Sequence, residues 1–421
     1  MRRVVRAKNL VRGTNPALTD AGNPMEPLKP IPQTETMVLN VGPQHPSTHG
    51  VLRVIVELDG EVMVRAEPDI GYLHRGIEKL CEGRTYHKCL PLMNRVDYLA
   101  GEVNNFGFCL AVEKLFGIEV PKRAQYIRVI MAEFTRIASH IFWLGTHAHD
   151  LGAMTPLFYG FREREKIMDL CEMVSGGRMF PLYLRIGGLA ADLPEGFMAK
   201  AWEFVKEFPE KWKDYDNLLT ENEIWKERTI GVGVLSAEEA LDWGWSGPMA
   251  RGSGVDWDLR RDNPYSSYED FDFEVPLGTK EGDTYSRYLV RMQEMLQSNR
   301  ILRQALEKLP PGDIKVDDPR ISLPPKDKVY TDIAALINHF KLIQEGIKPP
   351  AGEVYQAIEA PKGELGFYIV SNGTAQPLRV KIRAPSFVVL NSLGKLAEGR
   401  LLADLIALIG TMDIVLADVD R

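Results

Sequence analysis

The amino-acid sequence predicts an α+β fold in which a central helical bundle is flanked by two small antiparallel sheets. Short segments rich in alternating or β-branched apolar residues lie near residues 37–66 and again near residues 353–383. Between them, apolar residues recur at three- and four-residue steps, which is the period of an α-helix. Of the 421 residues, 45% are apolar and 26% are charged, a balance that is typical of a globular protein.

The N-terminal part of the chain divides into an arm and a sheet. Residues 1–36 contain five prolines and few large apolar residues, which predicts an extended proline-rich arm that becomes ordered only on a partner. Residues 37–75 predict a small β-sheet built from the segments MVLNV, VLRVIVEL and EVMVRA. Asp59 and Gly60 separate the last two segments, and this pair favours a tight hairpin turn.

Residues 76–309 predict the helical body. The clearest helix follows Pro121, and one face of it carries the apolar residues Ile127, Ile130, Met131, Phe134, Ile137, Ala138 and Ile141. A second helix is predicted over residues 92–116, and others over 159–174, 196–228 and 283–309. Ser236 followed by Glu239 is the pattern of a capping box, so a further helix should begin there.

The C-terminal part begins with a stretch rich in proline and charge, residues 310–330, which predicts a surface linker. Residues 331–421 then predict a helix over 331–345, a second small sheet and a tail. The strands of this sheet are EVYQAIEA, ELGFYIVS and LRVKIR, and the Pro-Lys-Gly and Asn-Gly sequences between them predict turns.

Charge and cysteine content exclude several classes of function. The net charge of −7 argues against binding to nucleic acid, which needs a clustered excess of Lys and Arg. Cys81, Cys89, Cys109 and Cys171 include no C-x-x-C pair, so neither a disulfide framework nor a thiolate metal site is predicted. No apolar run approaches the roughly 20 residues of a membrane-spanning helix.

The histidines give two groups of candidate site residues. His140, His147 and His149 lie close together, but no acidic or thiolate partner has a familiar metal-ligand spacing, so we predict structural roles and no metal site. In the segment GPQHPSTHG, two glycines and two prolines predict a tight loop that presents His45 and His49. These two residues either stabilise the turn or act in catalysis, because loops on a rigid scaffold often carry function.

Two further candidates lie on the predicted helices. Arg95, Asp97 and Tyr98 are close neighbours on the helix predicted over 92–116. In a structural interpretation, Arg95 and Asp97 form an ion pair and the ring of Tyr98 is buried. In a functional interpretation, the Tyr98 hydroxyl donates a proton to a strongly basic oxyanion. Asp150, at the end of the helix after Pro121, either caps a helix or orients a histidine.

Several segments together resemble one family. They are GPQHPSTHG, GYLHRGIEK, NRVDYL, PKRAQYIRVIMAEFTRIASH, LGAMTPLFYGFREREKI, IRAPSF and the terminal DVDR. These segments are similar to the 49-kilodalton subunit of respiratory complex I, the proton-translocating NADH:quinone oxidoreductase. The resemblance runs from about residue 37 to residue 421. It implies a fold similar to that of the large subunit of nickel-iron hydrogenases, although this chain lacks the C-x-x-C pairs that would hold the metal.

The resemblance also implies a site. The cavity that holds the metal in hydrogenases would here be the head-group end of a quinone channel, and the substrate would be ubiquinone or menaquinone. His49 and Tyr98 would hydrogen-bond the two quinone carbonyls, with Asp150 paired to His49. Arg75 and Arg95 would lie beside a 4Fe-4S cluster that a partner subunit supplies, so this chain alone would bind no cofactor.

The implied surroundings are those of a large assembly. The partners would be the iron-sulfur subunit, other subunits of the peripheral arm, and a membrane-arm subunit at the mouth of the quinone channel. The chain would be a peripheral membrane protein on the cytoplasmic face of the bacterial inner membrane. The alternatives are a non-catalytic scaffold subunit with a hydrogenase-like fold, and a hydrogenase-like metalloenzyme, which the missing thiolates oppose.

One position departs from the family pattern. Relatives commonly carry histidine after Arg-Met in the segment that here reads GGRMFPLYLRIGG, and this chain has Phe180. A phenylalanine holds no proton, so a nearby cluster should have a reduction potential that is nearly independent of pH.

Overall fold

The structure, a computed structural model, describes residues 35–279 and 281–421. Most of the predicted arm, residues 1–34, lies outside the described residues. The architecture is α+β, as predicted, with small antiparallel sheets around a helical body.

The first sheet has the order β1-β2-β3 and is antiparallel throughout. Its strands are β1 (Met37–Val41), β2 (Arg53–Asp59) and β3 (Val62–Asp69). The predicted turn lies between β2 and β3, where Gly60 has a φ of 62°, a backbone conformation that favours glycine.

A pair of short strands and a second three-stranded sheet follow along the chain. The pair consists of β4 (Leu184–Arg185) and β5 (Gly188–Leu189). The sheet has the order β6-β7-β8, with β6 (Gly352–Ala360), β7 (Gly363–Ser371) and β8 (Arg379–Arg383). The three strands coincide with the three predicted segments, and the two turns fall where they were expected.

The helices occupy the predicted body and continue to the C-terminus. Those of the first half are α1 (Ile77–Glu82), α2 (Tyr86–Met93), α3 (Gly101–Phe116), α4 (Lys122–Asp150), α5 (Thr155–Ser175), α6 (Phe197–Leu219), α7 (Glu223–Thr229), α8 (Ala237–Asp242), α9 (Gly247–Gly252) and α10 (Leu259–Asp262). Those of the second half are α11 (Thr284–Glu307), α12 (Lys326–Thr331), α13 (Ile333–Gln344), α14 (Pro385–Leu390), α15 (Leu393–Ala397), α16 (Leu402–Met412) and α17 (Leu416–Asp420).

The long helix α4 is the centre of the body. It packs against α3, α5, α11 and α16, and most of its side chains are buried because neighbours surround it on several sides. None of the helices in the described part of the chain is both long enough and apolar enough to cross a membrane.

The helix predicted over 92–116 is wrong in its first third. The chain leaves the helical conformation after α2 and forms a turn over residues 94–100 before α3 begins. Side-chain amides stabilise this turn: Asn94 donates to the carbonyl of Pro181 (2.6 Å), and Asn104 donates to the carbonyls of Met93 and Asp97 (3.1 and 3.0 Å). Such side-chain hydrogen bonds compete with the helical ones.

Two smaller differences have similar causes. The helix predicted over 196–228 is divided into α6 and α7, because the side chain of Asn222 accepts a hydrogen bond from the backbone of Trp225 and starts a new helix. The helix predicted over 331–345 is preceded by α12, and Asp332 caps the start of α13. The capping box of Ser236 and Glu239 is formed as predicted at the start of α8.

Two hydrophobic cores hold the molecule together. The larger one joins the helical body to the second sheet. The smaller one packs β2 and β3 against α15, α16 and α17, so it joins the first sheet to the C-terminal helices. This second core fixes the loop between β1 and β2 above the end of α16.

Candidate functional site

The loop of residues 42–50, between β1 and β2, is a compact structure around a short 3-10 helix, Pro46–Thr48. Nδ1 of His45 accepts a hydrogen bond from the backbone of Ser47 (3.2 Å), and the buried Thr48 hydroxyl donates to the carbonyl of His45 (2.9 Å). At Gly42, a Cβ atom would lie 2.1 Å from the carbonyl oxygen of Leu52, so only glycine allows the loop to close. The loop therefore holds His49 in a defined place.

His49 is a partly buried residue in the left-handed conformation, with a φ of 53°. Its Nε2 atom is buried and has no hydrogen-bond partner among the described residues. Burial and the positive charge of Lys362 lower the pKa of His49 to about 4. The ring is therefore neutral at pH 7, with one unpaired nitrogen available for a ligand.

Tyr98 lies on the turn of residues 94–100, not on a helix as predicted. Burial and the carboxylate of Asp97 raise the pKa of Tyr98, whereas the positive charges of Lys362 and Arg75 act in the opposite direction. The hydroxyl therefore remains protonated at neutral pH. The charge of Lys362 thus acts on both His49 and Tyr98. His49 comes from the loop between β1 and β2, and Tyr98 from the turn between α2 and α3.

This centre is a buried ammonium group between two carboxylates. Nζ of Lys362 lies 3.1 Å from the carboxylate of Asp97 and 3.8 Å from that of Asp413, and it donates to the hydroxyl of Ser139 (3.1 Å). Lys362 is only 3% exposed. The ion pair that we considered between Arg95 and Asp97 is absent from the described residues, because Asp97 is paired with Lys362.

Asp150 ends α4 beside the loop of residues 42–50. Burial raises the pKa of Asp150, and the charge of His149 and a hydrogen bond from the Ser47 side chain offset part of this effect. The expected pairing with His49 is not formed among the described residues, where Nε2 of His49 has no hydrogen-bond partner. Asp150 instead contacts the loop two residues before His49.

Arg75, Arg95 and Phe180 lie together near the C-terminus. The guanidinium of Arg75 donates to the carbonyls of Arg95 (2.9 Å) and Ala417 (2.8 Å), while its Nε atom is buried without a partner among the described residues. The guanidinium carbon of Arg95 lies 4.7 Å from the centre of the Phe180 ring. Burial is the main effect that lowers the pKa of Arg75. Tyr98 acts on that pKa as well, so this cationic group adjoins the same site.

His140 and His147 have structural surroundings, whereas His149 is exposed. Nε2 of His140 lies 2.9 Å from the carboxylate of Glu294, and His147 packs against the rings of Trp143 and Trp225. Burial lowers the pKa of both rings, to about 4 for His140 and about 3 for His147. Within residues 35–279 and 281–421, no group of three or more His, Cys, Asp or Glu side chains could hold a metal ion.

Sequence reasoning missed the residues at the centre of the site. Lys362 lies in the Pro-Lys-Gly turn, where a lysine is normally exposed. Asp413 follows the apolar segment LLADLIALIGTM and was not a candidate. No periodicity or spacing marks either residue, since their proximity to Tyr98 results from contacts between distant parts of the chain.

Comparison with known proteins gives consistent matches. The family described as "Respiratory-chain NADH dehydrogenase, 49 Kd subunit" matches residues 150–421. The D-type subunit of the NADH-quinone oxidoreductase of Geotalea uraniireducens is 60% identical over 388 residues, which is 92% of this chain and 99% of that protein. The corresponding protein of Geobacter sulfurreducens is 58% identical over 388 residues, with the same two shares of coverage.

A third organism gives a similar result. The D-type subunit of the NADH-quinone oxidoreductase of Rickettsia conorii is 52% identical over 388 residues, again 92% of this chain and 99% of that protein. A match that covers 92% of the chain includes both the loop of residues 42–50 and the turn of residues 94–100, whichever end it leaves out.

Proposed function

Because this chain belongs to the family of the 49-kilodalton subunit of respiratory-chain NADH dehydrogenase, we propose that the loop of residues 42–50 and the turn of residues 94–100 form the quinone head-group pocket of the complex. The observation that carries this proposal is the convergence of His49 and Tyr98 on one buried charge, that of Lys362. Each residue offers a polar group, and neither is fully buried.

The chemistry of the two residues suits a quinone. Its two carbonyl oxygens are weak bases before reduction and strong bases after it, so they need donors that release a proton only then. A tyrosine with a raised pKa meets this condition on one side. On the other side, neutral His49 relays a proton, because it can give one from one ring nitrogen and accept one at the other.

Asp150 is the proposed source of the second proton. Its raised pKa, its partial exposure and its contact with Ser47 support this role, because they describe a protonatable carboxyl beside the loop. The proton would reach His49 through the loop, by way of water or of a rearranged His49 side chain. The overall reaction balances as NADH, one proton and quinone giving NAD⁺ and quinol.

The partners proposed for the pocket fit its exposed surroundings. Met154, Phe158 and Phe161, at the start of α5 beside Asp150, are between 46% and 62% exposed. Exposed apolar groups of this size mark a surface that another subunit or a lipid tail covers. We propose that this edge faces the membrane-arm subunit, so the chain is a peripheral subunit at the cytoplasmic face of the bacterial membrane.

We assign the iron-sulfur partner to the surface near Arg75 and Arg95. A surface cavity of about 450 Å³, lined by His74, Phe387 and Arg421 among others, lies beside Arg75. The unpaired Nε atom of Arg75 and the exposed guanidinium of Arg95 fit a neighbour that gains negative charge. A 4Fe-4S cluster bound there by the partner would supply electrons singly, and the two guanidinium groups would stabilise its reduced state.

Labelling with a photoreactive quinone tests the pocket. We expect irradiation of the assembled complex with a short-chain azidoquinone to label peptides that contain residues 42–50 or 94–100. An excess of unreactive quinone should suppress this label, whereas any label on the remote helix α13 should be unaffected. Quinone-suppressible label found only on other subunits or other segments would refute the proposed pocket.

The presence of Phe180 leads to a prediction for how the reduction potential of the partner's cluster depends on pH. Since Phe180 lies against Arg95 and holds no proton, we expect the reduction potential of the partner's cluster to be nearly constant with pH. In the variant Phe180→His it should fall by up to about 59 mV per pH unit, the value for one proton per electron. Redox titration of the complex at several pH values measures this, with Phe340→His on α13 as control. A slope near one proton per electron in the unmodified protein contradicts the prediction.

A further inference from the structure

Lys362 is a buried cation in a turn, a position where lysine is normally exposed. It lies in the turn between β6 and β7, yet it is 3% exposed and points into the protein. Its Nζ atom donates to the hydroxyl of Ser139 and lies 3.1 Å from the carboxylate of Asp97, while Asp413 at 3.8 Å makes an ion-pair contact only. The ammonium is therefore fixed in position and cannot swing out to bind a ligand directly.

Stability alone does not account for this arrangement. A buried ion pair rarely stabilises a protein more than well-packed apolar residues of the same size. Here one ammonium faces two carboxylates, Asp97 and Asp413, and the buried guanidinium of Arg291 also acts on Asp413. One oxygen of Asp413 has no hydrogen-bond partner among the described residues, and burial raises the pKa of Asp413 to about 6.

The elements that meet at Lys362 are those that form the proposed pocket. Asp97 is the immediate neighbour of Tyr98 on the turn of residues 94–100. Asp413 follows α16, the helix on which the loop carrying His49 rests. The charge of Lys362 therefore lies behind the pocket, and it favours the phenolate form of Tyr98 more strongly than Arg75 does.

We propose that Lys362 is a positioning residue for the proton transfer from Tyr98: its fixed ammonium stabilises the phenolate that Tyr98 becomes when it protonates the reduced head group. The same charge keeps the His49 ring neutral. This inference rests on the proposed function and assigns to Lys362 a part in it that requires no contact with the quinone.

The proton transfer is balanced in atoms and charge. Two electrons, supplied singly and derived from NADH, turn both quinone carbonyls into oxyanions, and the one on the side of His49 takes the proton that the proposed function derives from Asp150. The O–H bond of Tyr98 breaks, an O–H bond forms on the head group, and Tyr98 is left as a phenolate that the fixed charge of Lys362 stabilises. A proton from water then restores the tyrosine.

The test is the variant Lys362→Met in the assembled complex, which keeps an unbranched side chain only one atom shorter but removes its charge. We expect kcat for NADH-dependent reduction of a short-chain quinone to fall about tenfold, because Tyr98 becomes a weaker acid. The KM for quinone should stay within about twofold, since Lys362 does not touch the quinone. The solvent deuterium isotope effect on kcat should increase, because proton transfer becomes more limiting.

Two further variants separate positioning from a structural role. Lys362→Arg keeps the charge and should retain most of kcat. Lys362→Met combined with Asp413→Asn restores the charge balance of the interior, so it should assemble even if the single variant does not. The double variant should still show the lowered kcat and the larger isotope effect, because Lys362 affects Tyr98 more strongly than Asp413 does.

The outcomes distinguish this inference from the proposed function. If Tyr98→Phe abolishes quinone reduction while Lys362→Met, alone or with Asp413→Asn, keeps the wild-type kcat and isotope effect, the role of Lys362 is refuted and the pocket stands. If Tyr98→Phe is itself without effect, the proposed function fails. Lys213→Met, which removes an exposed lysine on α6 that pairs with Glu210, is the matched control and should change neither quantity.

Discussion

The variant Tyr98→Phe is expected to lower kcat for quinone reduction by about 10²- to 10⁴-fold, the usual contribution of a general acid. The change removes only a hydroxyl group, and the ring can keep its place on the turn of residues 94–100. Assembly of the complex and NADH oxidation by a hydrophilic acceptor that bypasses the quinone should therefore remain normal. Steady-state kinetics on membranes or purified complex measure all three quantities.

A matched control and a double variant make this result specific. Tyr368→Phe removes a hydroxyl that bonds Glu353 on the exposed side of the second sheet, and we expect no effect on kcat. If Lys362 acts through Tyr98, adding Lys362→Met to Tyr98→Phe should lower kcat little further, because effects on one shared step are not additive. Normal quinone reduction in Tyr98→Phe would instead favour the non-catalytic scaffold.

The second large effect is expected from the buried charge network around Arg251. This residue is fully buried, and its guanidinium contacts the carboxylates of Glu294 (2.6 Å), Glu359 (2.8 Å) and Asp258 (3.4 Å). Arg251 lowers the pKa of Glu294 despite the opposing effect of burial. The network therefore depends on this cation to keep Glu294 ionised inside the protein.

The variant Arg251→Met should destabilise the chain by about 3–5 kcal/mol, because it leaves buried carboxylates without their partner. Heat denaturation of the purified complex should show a lower midpoint, or the variant subunit should fail to accumulate in the complex. Arg300→Met, which removes an exposed arginine of α11 that pairs with Asp272 and Glu274, should cost at most about 1 kcal/mol. Equal stability of the two variants would contradict the predicted importance of burial.

Local patterns in the sequence predicted much of the architecture. The hairpin at Gly60, the three strands of the second sheet, the long helix after Pro121 and the capping box at Ser236 all follow from short-range rules of periodicity and turn chemistry. The helix predicted over 92–116 failed for a reason that lies elsewhere in the chain. Asn94 bonds the carbonyl of Pro181, a contact across 87 residues that no local rule includes.

The candidate site was predictable only in part. His49, Tyr98 and Asp150 were found because they lie in recognisable segments. In the structure the charge of Lys362 acts on both His49 and Tyr98, whereas Asp150 contacts Ser47. Whether these three residues act on quinone remains a prediction. Lys362 and Asp413 were not found, because a lysine in a turn and an aspartate after a helix are normally exposed to solvent.

The sequence by itself determined the family, the α+β class and the lack of the paired thiolates that a nickel-iron site requires. These properties depend on residue identity and short spacing, which can be read along the chain. Only the tertiary structure decided that Lys362 is buried between Asp97 and Asp413, and that its charge acts on both His49 and Tyr98. Burial and charge proximity are properties of packing between distant segments, so they exist only once these segments are packed against each other in the folded protein.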